Sequence, residues 1–374
     1  MNTFKRKALS CAVLGGLGAV AGSAHAVYQD PNGLGQALVY PYYTVQQSGG
    51  NAFNTYLSIV NTTTRGKALK VRFREGKNSR EVLDFNLFMS PNDVWTAAIV
   101  PTANGTGADV GARLVTGDTS CTSPPIPSTG QDFRNFAYVG SNSDAAGSGN
   151  DRTREGYVEV VEMSTVVAPL LAAITHTAAG VPANCGAVQG SLLGNPAVQG
   201  VPTGGLAGSF TLINVANGAD FGGNAVALAN FRALPNYTDT GDETSNLGSA
   251  DPVSVVVTNQ SNGTAIYRST FTTGQDAVSA TMMHQSVINE YALDTATRSN
   301  TDWVMTFPTK SFYVSAGAAG TALTPFTNKF TANGACETIS FAYFNREEAG
   351  ATAALGDFSP ALPGVSDALC WEST

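Results

Sequence analysis

The stretch KALKVRFREGKNSREVLDFNLFM, residues 67–89, decides the fold class. Apolar and basic residues alternate over 69–74, and this period of two is typical of a β-strand. Residues 75–79 (EGKNS) are rich in turn formers, and apolar residues alternate again over 83–89. The stretch therefore predicts a β-hairpin whose apolar face lies on a core and whose basic face lies in water.

Basic residues are concentrated in this hairpin, since seven lysines and arginines lie within residues 65–80 of an otherwise acidic chain. One interpretation is ordinary sheet surface, with cross-strand charge pairs such as Arg72 opposite Asp84. The other is a docking face of Lys70, Arg72 and Arg74 for lipopolysaccharide, an acidic glycan or the acidic surface of another copy. Both interpretations place these side chains in solvent, so replacing all three with serine is expected to change stability little.

Strands dominate the rest of the chain. A turn at Ser90-Pro91-Asn92 leads into a strand over 94–100, and Asn262-Gly263 predicts a hairpin turn. Two short helices are predicted, one from Pro169 to about 180 and one over 276–293. Further strands are predicted over 157–163, 209–215, 224–231, 253–258, 264–271, 302–307, 311–315 and 337–344. This pattern predicts a mainly β protein, an antiparallel β-sandwich or jelly roll.

Long loops rich in glycine, proline and serine separate these elements, over 117–131, 140–153, 180–207 and 235–251. Loops of this length are often functional in compact domains. The chain length suits either one large domain or two smaller ones, with 27–116 and 132–374 as the portions in the second case. No linker marks a boundary.

The first 26 residues predict a secretory signal peptide. A basic start at 5–7 precedes an apolar run over 8–22, and Ala24-His25-Ala26 is the small-x-small pattern that signal peptidase cleaves. The mature chain then begins at Val27 and is exported, to the cell surface or the extracellular space, with the periplasm as the alternative. No later stretch is long and apolar enough to predict a transmembrane helix.

Four cysteines follow the signal segment: Cys121, Cys185, Cys336 and Cys370. An even number in an oxidising compartment predicts two disulfides. The sequential pairing, Cys121–Cys185 with Cys336–Cys370, closes the shortest loops and is preferred, while two other pairings stay open. Each bond is expected to stabilise the fold by about 4 kcal/mol.

The net charge of the chain and its lack of common catalytic motifs argue against several classes of function. The formal net charge is −8, and removing the three basic residues of the signal makes it −11, so general nucleic-acid binding is not expected. The sequence contains no Gly-x-Ser-x-Gly, P-loop or His-Glu-x-x-His motif. Only His176 and His284 remain for a histidine-based active site, and both lie on the predicted helices without a nucleophile motif. A glycosidase would need two carboxylates from a set that the sequence does not order: Glu155, Glu159, Glu162, Glu347 and Glu348.

Two acidic loops are candidate calcium sites, 142–151 and 239–246. In the second loop the ligand candidates are Asp239, Asp242 and Glu243. Calcium prefers several oxygen ligands from a flexible loop that contains glycine, and both loops have this composition. Neither matches the EF-hand spacing, and ordinary solvated turns are the favoured interpretation of both loops.

Two segments resemble known sequences: residues 54–96, which include NTYLSIVNTT, KVRFREGKNSREVLDF and SPNDVWT, and residues 301–314, TDWVMTFPTKSFYV. Both resemble parts of uncharacterised exported proteins of Gram-negative bacteria that are described as hypothetical or cell-surface proteins. The resemblance implies a compartment and no activity.

The expected function is binding or assembly by a non-enzymatic surface or extracellular protein, with self-association or an anionic glycan as the partner. The alternative is a secreted carbohydrate-active enzyme, or a carbohydrate-binding protein, on a β-sandwich. A cleft with two facing carboxylates and aromatic walls would favour the enzyme. Flat faces and unpaired strand edges would favour binding or assembly.

Overall fold

The computed structural model describes residues 25–104, 107–260, 263–294, 296, 300–315, 324–340, 342–344, 350–352 and 368–374. Its helices are α1 (Leu170–Ile174), α2 (Gly274–Met282) and α3 (Ser311–Val314). Its strands are β1 (Tyr28–Gln29), β2 (Ala37–Thr44), β3 (Gln47–Ser48), β4 (Asn51–Asn61), β5 (Gly66–Glu75), β6 (Glu81–Met89), β7 (Val94–Pro101), β8 (Ala112–Val115), β9 (Cys121–Ser123), β10 (Gln131–Asp132), β11 (Glu155–Val166), β12 (Leu206–Asn214), β13 (Ala219–Asn224), β14 (Val226–Ala229), β15 (Val253–Gln260), β16 (Gly263–Thr270), β17 (Glu337–Thr338), β18 (Ala342–Phe344), β19 (Gly350–Thr352) and β20 (Ala368–Leu369).

Two antiparallel sheets pack face to face, which confirms the prediction of a mainly β, sandwich-like fold. The first sheet has the order β1-β14-β2-β11-β5-β6-β9. The second has the order β10-β8-β7-β4-β12-β13, with β3 paired to β4. Strands from before residue 116 and after residue 132 pair with each other in both sheets, for example β5 with β11 and β4 with β12.

The core lies between the two sheets and is filled by the inward residues of each strand. The predicted hairpin forms as β5 and β6, with Arg72 opposite Asp84 as expected. Alternation directs one side chain in two toward the second sheet. The inward residues include Leu69, Val71, Phe73, Phe85 and Leu87 from the hairpin and Leu57, Ile59, Trp95, Ile99 and Phe210 from the second sheet.

The outer face of the first sheet is also covered, by a third layer of loops and helices. Helix α2 and the segment around Leu247 pack on β2 and β14 through a separate apolar cluster that includes Val39 and Val278. A third cluster around α1 covers Phe88 and Met163 and holds the disulfide of Cys121. As a result every residue of β5 is buried, on both faces of the strand.

Most predicted strands are confirmed, but the predictions for the C-terminal third are partly wrong. Residues 311–314 form helix α3, and residues 303–307 are extended without forming a strand, since only Thr306 forms a bridge, to Ser373. Strands over 337–344 are limited to β17 and β18, and Phe341 lies outside the described residues. Short apolar runs do not distinguish a strand from a single helical turn, so neighbouring segments decide the conformation.

Both helix predictions overestimate length. Helix α1 begins after Pro169 and ends at Ile174, and α2 begins after Thr273, whose hydroxyl caps the amide of Asp276. Helix α2 ends at Met282, so the expected stripe beyond it does not form. Asn262 lies outside the described residues, although β15 and β16 do pair as a hairpin. In the described part of the chain, no helix is both long and apolar enough to cross a membrane.

Candidate functional site

The predicted basic face for docking an anionic partner, Lys70, Arg72 and Arg74, is not exposed. Lys70 and Arg72 are 1% exposed and Arg74 is 7% exposed, so the expectation that the basic side chains of β5 face water is wrong. The period of two was correct, but a third layer covers the outer face. The basic residues form a buried ladder of ion pairs, which we call the cation ladder: Lys67–Glu162, Lys70–Asp84, Arg72–Glu81 and Arg74–Glu159.

Loop carbonyl groups complete the cation ladder. The Nζ of Lys70 donates to the carbonyl oxygen of Asp239 at 2.9 Å, and Arg72 donates to the carbonyl oxygens of Asp242 and Ser245 at 2.9 and 3.0 Å. Arg74 donates to Ser79 O at 2.8 Å. These bonds matter because a buried charge is costly unless both pairing and hydrogen bonding satisfy it. The ladder therefore fixes the long loop 235–251 onto the sheet.

Burial shifts the pKa values of one pair of the ladder, Glu162 and Lys67, in opposite directions. It raises the pKa of the Glu162 carboxyl and lowers the pKa of the Lys67 ammonium, although the attraction between the two charges opposes both shifts. Glu162 also accepts hydrogen bonds from the amides of Thr203 and Gly204, at 3.0 and 2.7 Å. This pair thus holds a second long loop, 180–207, at the same face of the sheet.

The calcium candidates Asp239, Asp242 and Glu243 do not converge on one point. Asp239 accepts hydrogen bonds from Ser191 Oγ and the Leu192 amide, while Asp242 Oδ1 accepts from the amide and hydroxyl of Thr244. Among the described residues there is no group of three His, Cys, Asp or Glu side chains that could hold a metal ion. The carbonyl oxygens of Asp239 and Asp242 instead bind cations of the chain itself.

The other acidic loop, 142–151, contains one paired carboxylate. Asp144 binds Arg152 through both oxygens, at 2.7 and 3.0 Å, and accepts from Asn78 Nδ2 at 3.0 Å. Burial alone would raise its pKa, but the hydrogen bonds from Arg152 and Asn78 lower the pKa of Asp144 to about 2. Arg152 also bonds Glu75. Asp144 is therefore neutralised by cations of the chain itself.

The glutamates that were candidates for a glycosidase have different partners in the structure. Glu159 and Glu162 are buried in the cation ladder, and Glu155 accepts a hydrogen bond from Tyr42. Glu347 and Glu348 lie outside the described residues. No two of the three described glutamates are arranged as a facing acid and base, since the two buried ones each have a cationic partner.

His176 lies in a hydrogen-bonded cluster that the sequence did not predict. Ser90 Oγ lies 2.8 Å from the Nδ1 of His176, Asp93 Oδ2 lies 3.7 Å from the same nitrogen, and Thr119 Oγ1 lies 3.3 Å from Nε2. The buried Ser90 and the carboxylate thus share one ring nitrogen, which is not the order that a nucleophilic triad needs. The residues come from three separate segments, so no spacing pattern could have indicated them.

This cluster fastens the segment before Cys185 to the turn between β6 and β7. Neither candidate histidine lies on a helix, because α1 ends at Ile174 and α2 ends at Met282. His284 is exposed. We assign the cluster around His176 to loop attachment, since Asp93 already accepts hydrogen bonds from the Ser90 amide and from Ser120 Oγ.

A buried carboxyl near the C-terminus, Glu372, is expected to make the stability of the fold depend on pH. Glu372 is 1% exposed, and its Oε2 accepts from Ser79 Oγ at 3.0 Å and from the Ser311 amide at 3.2 Å. Burial raises its pKa to about 8. The segment around it is held to the β5–β6 turn because Gly76 O accepts from the amides of Glu372 and Ser373.

Replacing Glu372 with glutamine should flatten the pH dependence of stability. A carboxyl whose pKa is raised from 4.5 to about 8 keeps its proton in the folded state while the unfolded chain loses it, so folding becomes less favourable as pH rises through this window. This group costs on the order of a few kcal/mol above pH 8. Urea unfolding at pH 5 and pH 8.5 measures the effect. The exposed Glu290→Gln is the control, and equal slopes in parent and Glu372→Gln would contradict the prediction.

The outer face of the second sheet is open, in contrast to that of the first. Cross-strand register places Thr96, Ser58, Ser209 and Asn224 in one row across β7, β4, β12 and β13. The neighbouring row consists of Ala98, Tyr56, Thr211 and Gly222. The two serine hydroxyls lie 2.8 Å apart and are exposed.

The residues of these rows on β7, β4 and β12 line a shallow trough with a volume of about 510 Å³, and the rows continue beyond it onto β13. Small side chains form its floor, and Tyr56, 44% exposed, rises beside them. Its border on the β8 side is formed by Val115, Thr116 and Gly117, with Thr116 Oγ1 bonded to Thr96 O at 2.6 Å. No residue that lines the trough carries a charge, so it offers hydroxyl groups and an aromatic ring.

One edge of the second sheet is also open. Strand β13 pairs only with β12 among the described strands and is exposed along nearly its whole length. It contains Gly222 and Gly223 but no lysine or proline, the residues that commonly protect sheet edges. Phe221 is exposed beside the edge and contacts the ring of Phe210. Such an edge can pair with another strand.

Comparisons with known proteins leave these surfaces as the main guide to function. No protein family, no curated protein and no solved structure matches this chain.

Proposed function

We propose that this chain is an exported surface or extracellular protein that acts by binding or by assembly and is not an enzyme. The observation that carries the proposal is the open outer face of the second sheet, which has an uncharged trough over β7, β4 and β12 and ends at the exposed edge strand β13. Such flat, uncharged faces and unpaired edges suit contact with a polymer or with another chain.

Export is supported by the disulfides of the fold. The described part of the chain contains two of them, Cys121–Cys185 and Cys336–Cys370, and such bonds persist in oxidising compartments. The resemblance of 54–96 and 301–314 to exported proteins of Gram-negative bacteria supports the same compartment.

The enzyme alternative has less support. Two of the candidate carboxylates for glycoside hydrolysis, Glu159 and Glu162, are paired with cations in the ladder, and the trough is lined by no acid or base. General acid–base catalysis needs a titratable group within hydrogen-bond reach of the substrate. A binding role needs only complementary surface.

Expression of the full chain in a Gram-negative host should place the protein outside the cytoplasm. We expect the recovered protein to begin at Val27, to contain no free thiol by mass spectrometry, and to be cleaved when intact cells are treated with protease. A chain that begins at Val27 is the matched control and should stay in the cytoplasm. Recovery of the full chain in the cytoplasm with residues 1–26 attached would overturn the proposed compartment.

A further inference from the structure

We propose that the trough on the second sheet is a binding site for a neutral polysaccharide. This inference rests on the proposed binding function and names its ligand class. Three observations support it: the register of β7, β4 and β12, the exposure of Tyr56, and the absence of charge from the residues that line the trough.

The hydroxyl row supplies regularly spaced hydrogen-bonding groups. Thr96, Ser58 and Ser209 are cross-strand neighbours on successive strands, which lie about 4.8 Å apart in a sheet. The Ser58 and Ser209 hydroxyls bond each other, which uses the proton of one of them, and the proton of the other and the remaining lone pairs of both can bond the hydroxyl groups along a sugar chain. Asn224 extends the row by an amide on β13. An extended polymer that crosses the strands can therefore contact each of these side chains in turn.

Tyr56 supplies the apolar contact. It stands between Ala98 and Thr211 in its row, and Gly222 follows with no side chain. A Cβ at Gly222 would meet nothing closer than 3.7 Å, so this end of the row is low and open. The ring can thus pack against the C–H face of a sugar ring, while the hydroxyl row bonds its polar edge.

Charge distinguishes this ligand from the alternatives. An anionic glycan would need exposed arginine or lysine, but the basic residues of β5 are buried on the other sheet and the mature chain is acidic. A second protein chain would be expected to meet an apolar centre rich in aromatic residues and arginine. The trough instead combines hydroxyl side chains with mostly small apolar ones, has a single well-exposed aromatic ring and contains no arginine, a combination that suits the polar edges and C–H faces of a neutral sugar polymer.

Affinity electrophoresis of the intact, oxidised mature protein tests the proposal, with laminarin, galactomannan and dextran as neutral probes and polygalacturonate as the anionic one. We expect at least one neutral probe to retard the protein and polygalacturonate to have no effect. Tyr56→Ala should weaken binding about tenfold, because the main apolar contact is lost. Tyr56→Phe keeps the ring and should bind nearly as the parent does.

A second variant tests the trough by filling it, and it also removes the hydroxyl of Ser209. Ser209→Trp places a large side chain in the hydroxyl row and should block binding, while its melting temperature should match that of the parent because the position is exposed. Phe136→Ala, an exposed aromatic residue outside the trough, is the control and should bind normally.

The results that overturn the inference are distinct from those that overturn the proposed function. Retardation by polygalacturonate alone, binding unaffected by Tyr56→Ala, or no binding to any neutral probe would refute the neutral ligand. A dimer in sedimentation that Ser209→Trp dissociates would assign the trough to a second copy. In each case an exported protein keeps the proposed function, which fails only if the protein stays in the cytoplasm or proves to be an enzyme.

Discussion

Replacing Arg74 with alanine should lower the free energy of unfolding by about 3–5 kcal/mol. The guanidinium lies 2.8 Å from Glu159 Oε1 and donates to Ser79 O. Without it, the carboxylate of Glu159 is left in a site where its side chain is 2% exposed. An uncompensated buried charge costs more than the ion pair itself contributes, so the loss should exceed that of an ordinary surface substitution. Urea unfolding followed by circular dichroism measures it.

The matched control is Arg65→Ala, which removes an exposed arginine immediately before the same strand and should change stability by less than about 0.5 kcal/mol. The double variant Arg74→Met/Glu159→Leu removes both charges and should recover most of the loss, since apolar replacements of a buried ion pair are often neutral. A loss below about 1 kcal/mol for Arg74→Ala would show that Glu159 finds water or another partner.

Burial of the cation ladder also reverses the stability change that the sequence predicts for the triple serine variant at positions 70, 72 and 74. Serine at positions 70, 72 and 74 was expected to leave stability nearly unchanged, because alternation alone placed these side chains in solvent. In the structure each removed cation leaves a carboxylate without its partner, fully buried at Glu159 and partly buried at Asp84 and Glu81, and the loop 235–251 loses its bonds to Lys70 and Arg72. We now expect the triple variant not to fold, since its combined loss approaches the whole stability of a typical domain.

Alternation in residues 67–89 was enough to predict the hairpin, its register at Arg72 and Asp84, and the side of β5 that meets the core. It could not show what covers the opposite side. A polar strand face has the same pattern whether it meets water or a third layer, and here the covering loop is about 170 residues away in sequence. The acids that pair with the cations are likewise distributed over β6 and β11.

The trough could not be predicted from the sequence, for a related reason. Thr96, Ser58 and Ser209 come from three strands, and only their register brings them into one row. A shift of one residue in either pairing would turn a hydroxyl inward and destroy the row. The cluster around His176 depends in the same way on three separate turns. Cysteine pairing, in contrast, was predictable because few pairings were available and the shortest loops were favoured.

Removing the first disulfide, Cys121–Cys185, should lower the free energy of unfolding about as much as Arg74→Ala does. The variant Cys121→Ala/Cys185→Ala opens a loop with a sequence separation of 64 and should lose about 4 kcal/mol, chiefly because the unfolded chain gains freedom. The bond also holds β9, a three-residue edge strand, against the cluster around α1. Urea unfolding of the variant and of the oxidised parent measures the difference.

The second disulfide provides the comparison. Cys336→Ala/Cys370→Ala opens a shorter loop, with a separation of 34, and should cost about 0.5 kcal/mol less. It also frees the segment that places Glu372 beside Ser79, so its effect should vary with pH, whereas that of the first pair should not. Excess reductant should weaken the parent by about the sum of both losses and leave a variant without all four cysteines unchanged. An unchanged urea midpoint for the parent in reductant would contradict the argument, because the fold would then not depend on an oxidising compartment.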